Sequence, residues 1–190
     1  MAKLITKFRY LKPTKKRKAG GYATYIATRE GVEKLLQEQK TYADYIATRP
    51  RSQGLFTDEG RKINLRQLSK ELNQYQGNLW TVIISLSRED AERLGFATAT
   101  RWRDFLRSER SEIAEQFHIP QGNLRWYAAF HNEKHHPHVH LMVWSEDEKE
   151  GYLSEKGIER LRSSFAKSIF AQDWCNVYDR YTEARNTLRQ

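Results

Sequence analysis

Five of the six histidines in this chain fall within His131-Asn-Glu-Lys-His-His-Pro-His-Val-His140. His138 and His140 flank Val139. Residues two apart in a strand point to the same face, so their imidazoles are predicted to sit side by side. Leu124 to Phe130 reads as a second strand leading into His131, with Asn132 to Pro137 as the turn between them. Such a hairpin gathers the imidazoles of His131, His138 and His140 around one point. Neutral imidazole suits divalent transition metals, and three protein ligands leave positions open for a substrate oxygen. This is the layout of a catalytic metal site. His-rich tracts also occur as incidental metal-binding patches, but the apolar, strand-like flanks here argue for an ordered site.

His-hydrophobic-His with a third His seven residues upstream resembles the HUH endonucleases, and within them the MobP-type relaxases of mobilisable plasmids and integrative elements. Gly21-Tyr-Ala-Thr-Tyr-Ile-Ala-Thr-Arg-Glu-Gly31 resembles that family's N-terminal tyrosine motif. The stretches from Trp80 to Gly95 and from Leu124 to Trp144 are also similar to it. The resemblance implies a cytoplasmic enzyme that nicks one DNA strand at a transfer origin, starting conjugative mobilisation. A tyrosine attacks the scissile phosphate, leaving a 3′-hydroxyl and a 5′-phosphotyrosine from which the strand can be rejoined. It implies a divalent metal ion on His131, His138 and His140: manganese or magnesium first, nickel or zinc as alternatives. Single-stranded DNA is the implied partner, with accessory mobilisation proteins and a coupling protein beside it. Tyr25 is the expected nucleophile, because the family's tyrosine lies early in the first helix after the first strand. Tyr22 shares its face and is an alternative. So is Tyr45, which carries the same motif in a second copy. Phenol ionises near pH 10, so a metal or a nearby base must help it.

Two rival readings stem from the same residues. His136, His138 and His140 in His-Pro-His-Val-His-Leu-Met also resemble the histidine-triad nucleotide hydrolases, in which the middle His attacks phosphorus without a metal. Pro137 on that strand and the upstream His131 favour the relaxase. A non-catalytic DNA-binding module with a structural metal would need four closed ligands. The cluster and a single distant cysteine do not supply them. Glu133 in the turn is expected either to orient a ligand imidazole or to be a solvated acid. Arg29 and Arg49 follow the two tyrosine motifs and are candidates for phosphate contacts or for surface ion pairs.

The 190 residues carry a net charge of +9 and a pI of about 9.6. Residues 1–21 hold eight Lys or Arg and no acid, so nearly all of the excess is an N-terminal arm suited to a polyanion. Lys15, Lys16, Arg17 and Lys18 would touch the DNA backbone without reading sequence. A mean hydropathy of −0.85 leaves no apolar run that could span a membrane, and no signal-peptide core follows the first basic residues. Cys175 cannot form an internal disulfide, which fits a reducing compartment. It is expected to be a packing residue rather than a nucleophile.

Several elements are expected around the hairpin. Leu4 to Leu11 reads as a first strand, Pro13 to Gly21 as a basic loop and Tyr22 to Gln39 as a helix. Tyr22-Ala-Thr-Tyr-Ile-Ala-Thr-Arg recurs as Tyr42-Ala-Asp-Tyr-Ile-Ala-Thr-Arg49, which suggests two short helices, each with a tyrosine pair on one face. Residues 50–62 read as a loop, and Asn64 to Tyr75 as a helix opened by an Asn cap. Leu79 to Leu86 is a β-branched strand, and Ser87-Arg-Glu-Asp90 a capping box. Thr98 to Phe117 reads as one long amphipathic helix. Glu146 to Gly151 reads as a charged turn, and Ser154 to Phe170 and Tyr178 to Arg189 as two final helices. The expected class is α+β, a central, largely antiparallel sheet with helices packed on it, as in HUH relaxases. No interdomain linker interrupts it, so residues 1–190 are expected to form a single relaxase catalytic domain. Relaxases usually continue past this domain, so it is expected to be the N-terminal part of a longer protein.

Overall fold

Leu79–Ser85 is apolar on both faces and dominated by Trp, Thr, Val and Ile, the composition of a strand covered from two sides. It is β4, at the heart of a six-stranded antiparallel sheet in the computed structural model, which describes residues 3–12, 19–33, 54–59 and 63–187. β1 is Ile5–Leu11, β2 Val32–Glu33, β3 Leu55–Phe56, β5 Leu124–His131 and β6 His138–Ser145. The order is β1-β4-β6-β5-β2, with β3 also on β5. Among the described residues there are seven helices: α1 Ala19–Thr28, α2 Leu65–Gln74, α3 Arg88–Arg93, α4 Ala99–Ser108, α5 Arg110–Gln116, α6 Glu155–Ile169 and α7 Ala171–Thr187. The fold is α+β.

Alternation along the strands builds two cores. Val82, Ile84, Phe130, Val139, Leu141 and Val143 point to one face. There they meet Trp102, Phe105 and Ile113 of α4 and α5 and Phe165 of α6. Leu79, Ala129, Met142 and Trp144 point to the other, under Ala23, Ile26 and Ala27 of α1 and Leu68 and Leu72 of α2. The three histidines of interest lie on this second, thinner side.

Several boundaries differ from the sequence expectation. The predicted helix over 22–39 is α1, which starts earlier, at Ala19, and ends at Thr28. The chain turns at Gly31, φ +84°, a left-handed conformation that favours glycine, and Val32–Glu33 pairs with β5. Ala19 to Gly21 are therefore helical rather than loop. Leu55–Phe56, expected as loop, is a strand on Ala128 and Ala129. The predicted long helix over 98–117 is broken at Glu109 into α4 and α5. The Glu109 side chain is buried and accepts from the Ser164 and Ser168 hydroxyls of α6. The last helix begins at Ala171, not Tyr178, and Cys175 on it is exposed, so it is not a packing residue. The caps read from sequence hold: Asn64 accepts from the Gln67 N–H and Ser87 from the Asp90 N–H. The basic stretch Lys15 to Lys18, the second tyrosine copy with Tyr45, and Arg49 lie outside the described residues.

Candidate metal centre

Antiparallel register assembles the histidines. His131, the last residue of β5, directly opposes His138, the first of β6, and His140 opposes Ala129. The methyl of Ala129, on the same face as His131, leaves room for the His140 ring. The ring centroids lie 4.6 to 5.2 Å apart. One nitrogen from each of the three falls within 4.8 Å of the others, so the cluster could hold a metal ion.

Each ring is oriented by a partner on its far side. His131 Nε2–H donates to the Ile26 carbonyl of α1 at 2.7 Å. Its Nδ1 is buried with no hydrogen-bond partner, a rare condition for a buried polar atom. His138 Nδ1–H donates to the His136 carbonyl at 2.9 Å, so its Nε2 carries a lone pair. That Nε2 stands 3.2 Å from His140 Nε2. His140 therefore holds the shared proton on Nε2, and its Nδ1 accepts from the Tyr22 hydroxyl at 3.0 Å. A ligating His140 would give up that proton and donate from Nδ1 to the Tyr22 oxygen. Each imidazole thus commits its far nitrogen outward and turns the other inward, the arrangement that metal-binding histidines use, and the orphaned His131 Nδ1 fits it.

Burial also keeps the rings neutral. It is the main cause that lowers His131 to about 4 and His140 to about 3, with His138 shifted the same way. The neighbouring histidines and the Arg29 cation add to the effect. Neutral imidazole is the ligating form.

Helix α1 brings the tyrosines. Tyr22 meets the His140 ring edge-on, 6.2 Å between centroids. Burial pushes its phenol up to about 12, while the Thr81 hydroxyl and the Arg9 and Arg29 cations pull it partly back. Tyr25, one turn on, is 54% exposed, with the Arg29 guanidinium 5.5 Å from its ring centre. Arg29 also pairs with Glu133 at 3.1 Å. Of the two roles expected for Arg29, the ion pair is present. Glu133 orients no imidazole; its partner is Arg29. His136 lies before β6, and it is its carbonyl, not its ring, that serves the cluster.

Residues that carry no motif hold the turn. The Arg88 guanidinium donates to Asn132 Oδ1 at 2.7 Å, to the Lys134 carbonyl at 3.2 Å and to the Glu133 carbonyl. The Asn132 side chain also donates to Glu33 of β2 at 2.9 Å, and its backbone N–H to the Gly31 carbonyl at 2.8 Å. The side-chain contacts among these join residues 44 to 99 positions apart and leave no local signal in the sequence.

No curated protein and no solved structure matches the chain. A family model described as MobL relaxases matches residues 41–189. The match spans the hairpin with all three histidines and the second tyrosine copy, and begins after the first. With most of its length matched, the chain belongs to the MobL relaxases.

Proposed function

We propose that this relaxase is a metal-dependent HUH-type enzyme, similar to the MobP-type relaxases, that nicks and rejoins one strand of single-stranded DNA at a transfer origin. The convergence of three imidazoles, each with one nitrogen committed outward, carries the reading. His131 Nδ1, His138 Nε2 and His140 Nε2 would hold the ion. When bound, it supplies positive charge to orient and neutralise the scissile phosphate.

The chain's own residues do the rest. Tyr25 is the nucleophile. Its phenolic oxygen forms the bond to phosphorus as the bond to the 3′ oxygen breaks, and the phenolic proton ends on the departing 3′-hydroxyl. The product is a 5′-phosphotyrosine, which the 3′-hydroxyl can attack in reverse. Exposure of Tyr25 supports this choice. Tyr22 is the weaker candidate, because its oxygen is engaged at His140 and burial opposes its ionisation. Arg29, 5.5 Å from the Tyr25 ring centre, places a cation beside the attacking residue. Lys15, Lys16, Arg17 and Lys18 supply further backbone contacts, and binding weakens as salt rises.

Labelled single-stranded origin DNA, manganese and a denaturing gel test the proposal. The wild-type protein should form a covalent adduct. Tyr25→Phe should fold, bind metal and bind DNA, yet lose the adduct by orders of magnitude. Mass spectrometry of the adduct peptide decides between the tyrosines. DNA on Tyr45, or wild-type adduct in Tyr25→Phe, would reject Tyr25. Absence of any adduct from the wild type would reject the mechanism.

A further inference from the structure

The turn from Asn132 to Pro137 carries one metal-site histidine at each end and has little apolar surface to hold it. Its backbone carbonyls are instead taken almost one by one by the segment that leads from β4 into α3. The Arg88 guanidinium takes those of Glu133 and Lys134. The Arg88 backbone N–H takes that of His135 at 3.1 Å, and the Leu86 N–H that of Pro137 at 3.2 Å. The His136 carbonyl accepts from His138 Nδ1. Arg88 also grips the Asn132 side chain, which is tied on its other side to Glu33.

From this geometry we infer that Arg88 is a positioning residue of the metal centre, resting on the reading of the three histidines as metal ligands. It acts through the turn. By fixing the carbonyls around His136 it aims the His136 carbonyl at His138 Nδ1, which sets the tautomer and the ring plane of His138 and turns Nε2 towards His131 and His140. Only a guanidinium can serve three acceptors in one plane; a lysine ammonium lacks the fork. The Nε and Nη2 donors are engaged on the turn, so Arg88 is assigned to holding the turn rather than to a phosphate, although it is a cation close to the site.

Cobalt(II) titration of the purified chain tests this, read both as affinity and as the visible ligand-field spectrum. Wild-type protein should bind one ion with a defined spectrum. Arg88→Ala should lose about 10- to 100-fold in affinity, the range for an outer partner of a ligating histidine, and its spectrum should shift. Arg88→Lys, which keeps the charge and the helix, should fold and show a loss of the same sign. A lesser role in folding alone would lower the thermal midpoint in chelator without moving the spectrum of the folded, loaded protein. The salt dependence of single-stranded DNA binding should be unchanged in both variants. Unaltered affinity and spectrum in both variants would overturn the inference, as would a salt slope that falls by about one with metal binding intact. No cobalt binding by the wild type would remove the metal-site reading itself, a different and separable failure.

Discussion

Tyr22 and Tyr25 lie three residues apart on α1, yet their hydroxyls meet different surroundings. The first is drawn into the cluster and bonded to His140; the second has a half-exposed ring under Arg29. In sequence they differ only by position in the motif, which favours Tyr25, since both sit in Tyr-Ala-Thr-Tyr and share a helix face. The contrast supports the proposal that Tyr25 attacks and that Tyr22 orients His140. Tyr22→Phe then removes only the oxygen that a ligating His140 addresses. Metal affinity should fall about tenfold, and adduct should still form at saturating manganese. Isothermal titration and the adduct gel check the two halves. A Tyr22→Phe protein that binds metal normally but forms no adduct would exchange the roles of the two tyrosines.

Helix α1 can approach α2 closely because its first turn has almost no side chains. A Cβ on Gly20 would stand 2.0 Å from the Ser69 carbonyl oxygen of α2, so the two helices touch backbone to backbone. Gly→Ala in an exposed helix stabilises by about 1 kcal/mol. Here the clash is with backbone, and overpacking costs about 1–3 kcal/mol, so the sign should reverse. Gly20→Ala should lower the urea midpoint and, by pushing α1 outward, draw the Ile26 carbonyl away from His131 and weaken metal binding. A raised midpoint would mean that α2 yields freely. The same contact explains why the start of α1 was hidden in the sequence. Gly20-Gly21 reads as loop by propensity, and only tertiary packing makes it helix. The hairpin, by contrast, was legible because alternation and a turn fix which side chains meet. Leu55–Phe56 is too short to show a period. The break at Glu109 depends on two serines more than fifty residues away, and the grip of Arg88 on the turn has no periodic signature at all.

Across the whole molecule, the three clustered histidines, His131 and His140 buried and His138 half-buried, link stability to pH, because the fold holds them neutral in a crevice that disfavours their charge. Unfolded histidine titrates near 6.5, whereas His131 and His140 are lowered to about 4 and about 3 and His138 is lowered too. Between those limits the unfolded chain binds more protons than the folded one, so stability rises with pH. The contribution is fully present above about pH 6.5 and is lost as pH falls through the folded-state values. Metal binding sharpens the trend, since protons compete for the same lone pairs. In chelator, the urea-derived stability of the wild type should therefore decline steadily below pH 6.5, before most carboxylates titrate. His140→Gln removes one such group and should flatten the slope by up to about 1.4 kcal/mol per pH unit, the value for one proton. Carboxylates common to both proteins cancel in the comparison. Equal slopes from pH 6.5 to 4.5 would show that His140 is no less easily protonated in the folded chain than in the unfolded one, and that the crevice does not keep its ligands poised for metal.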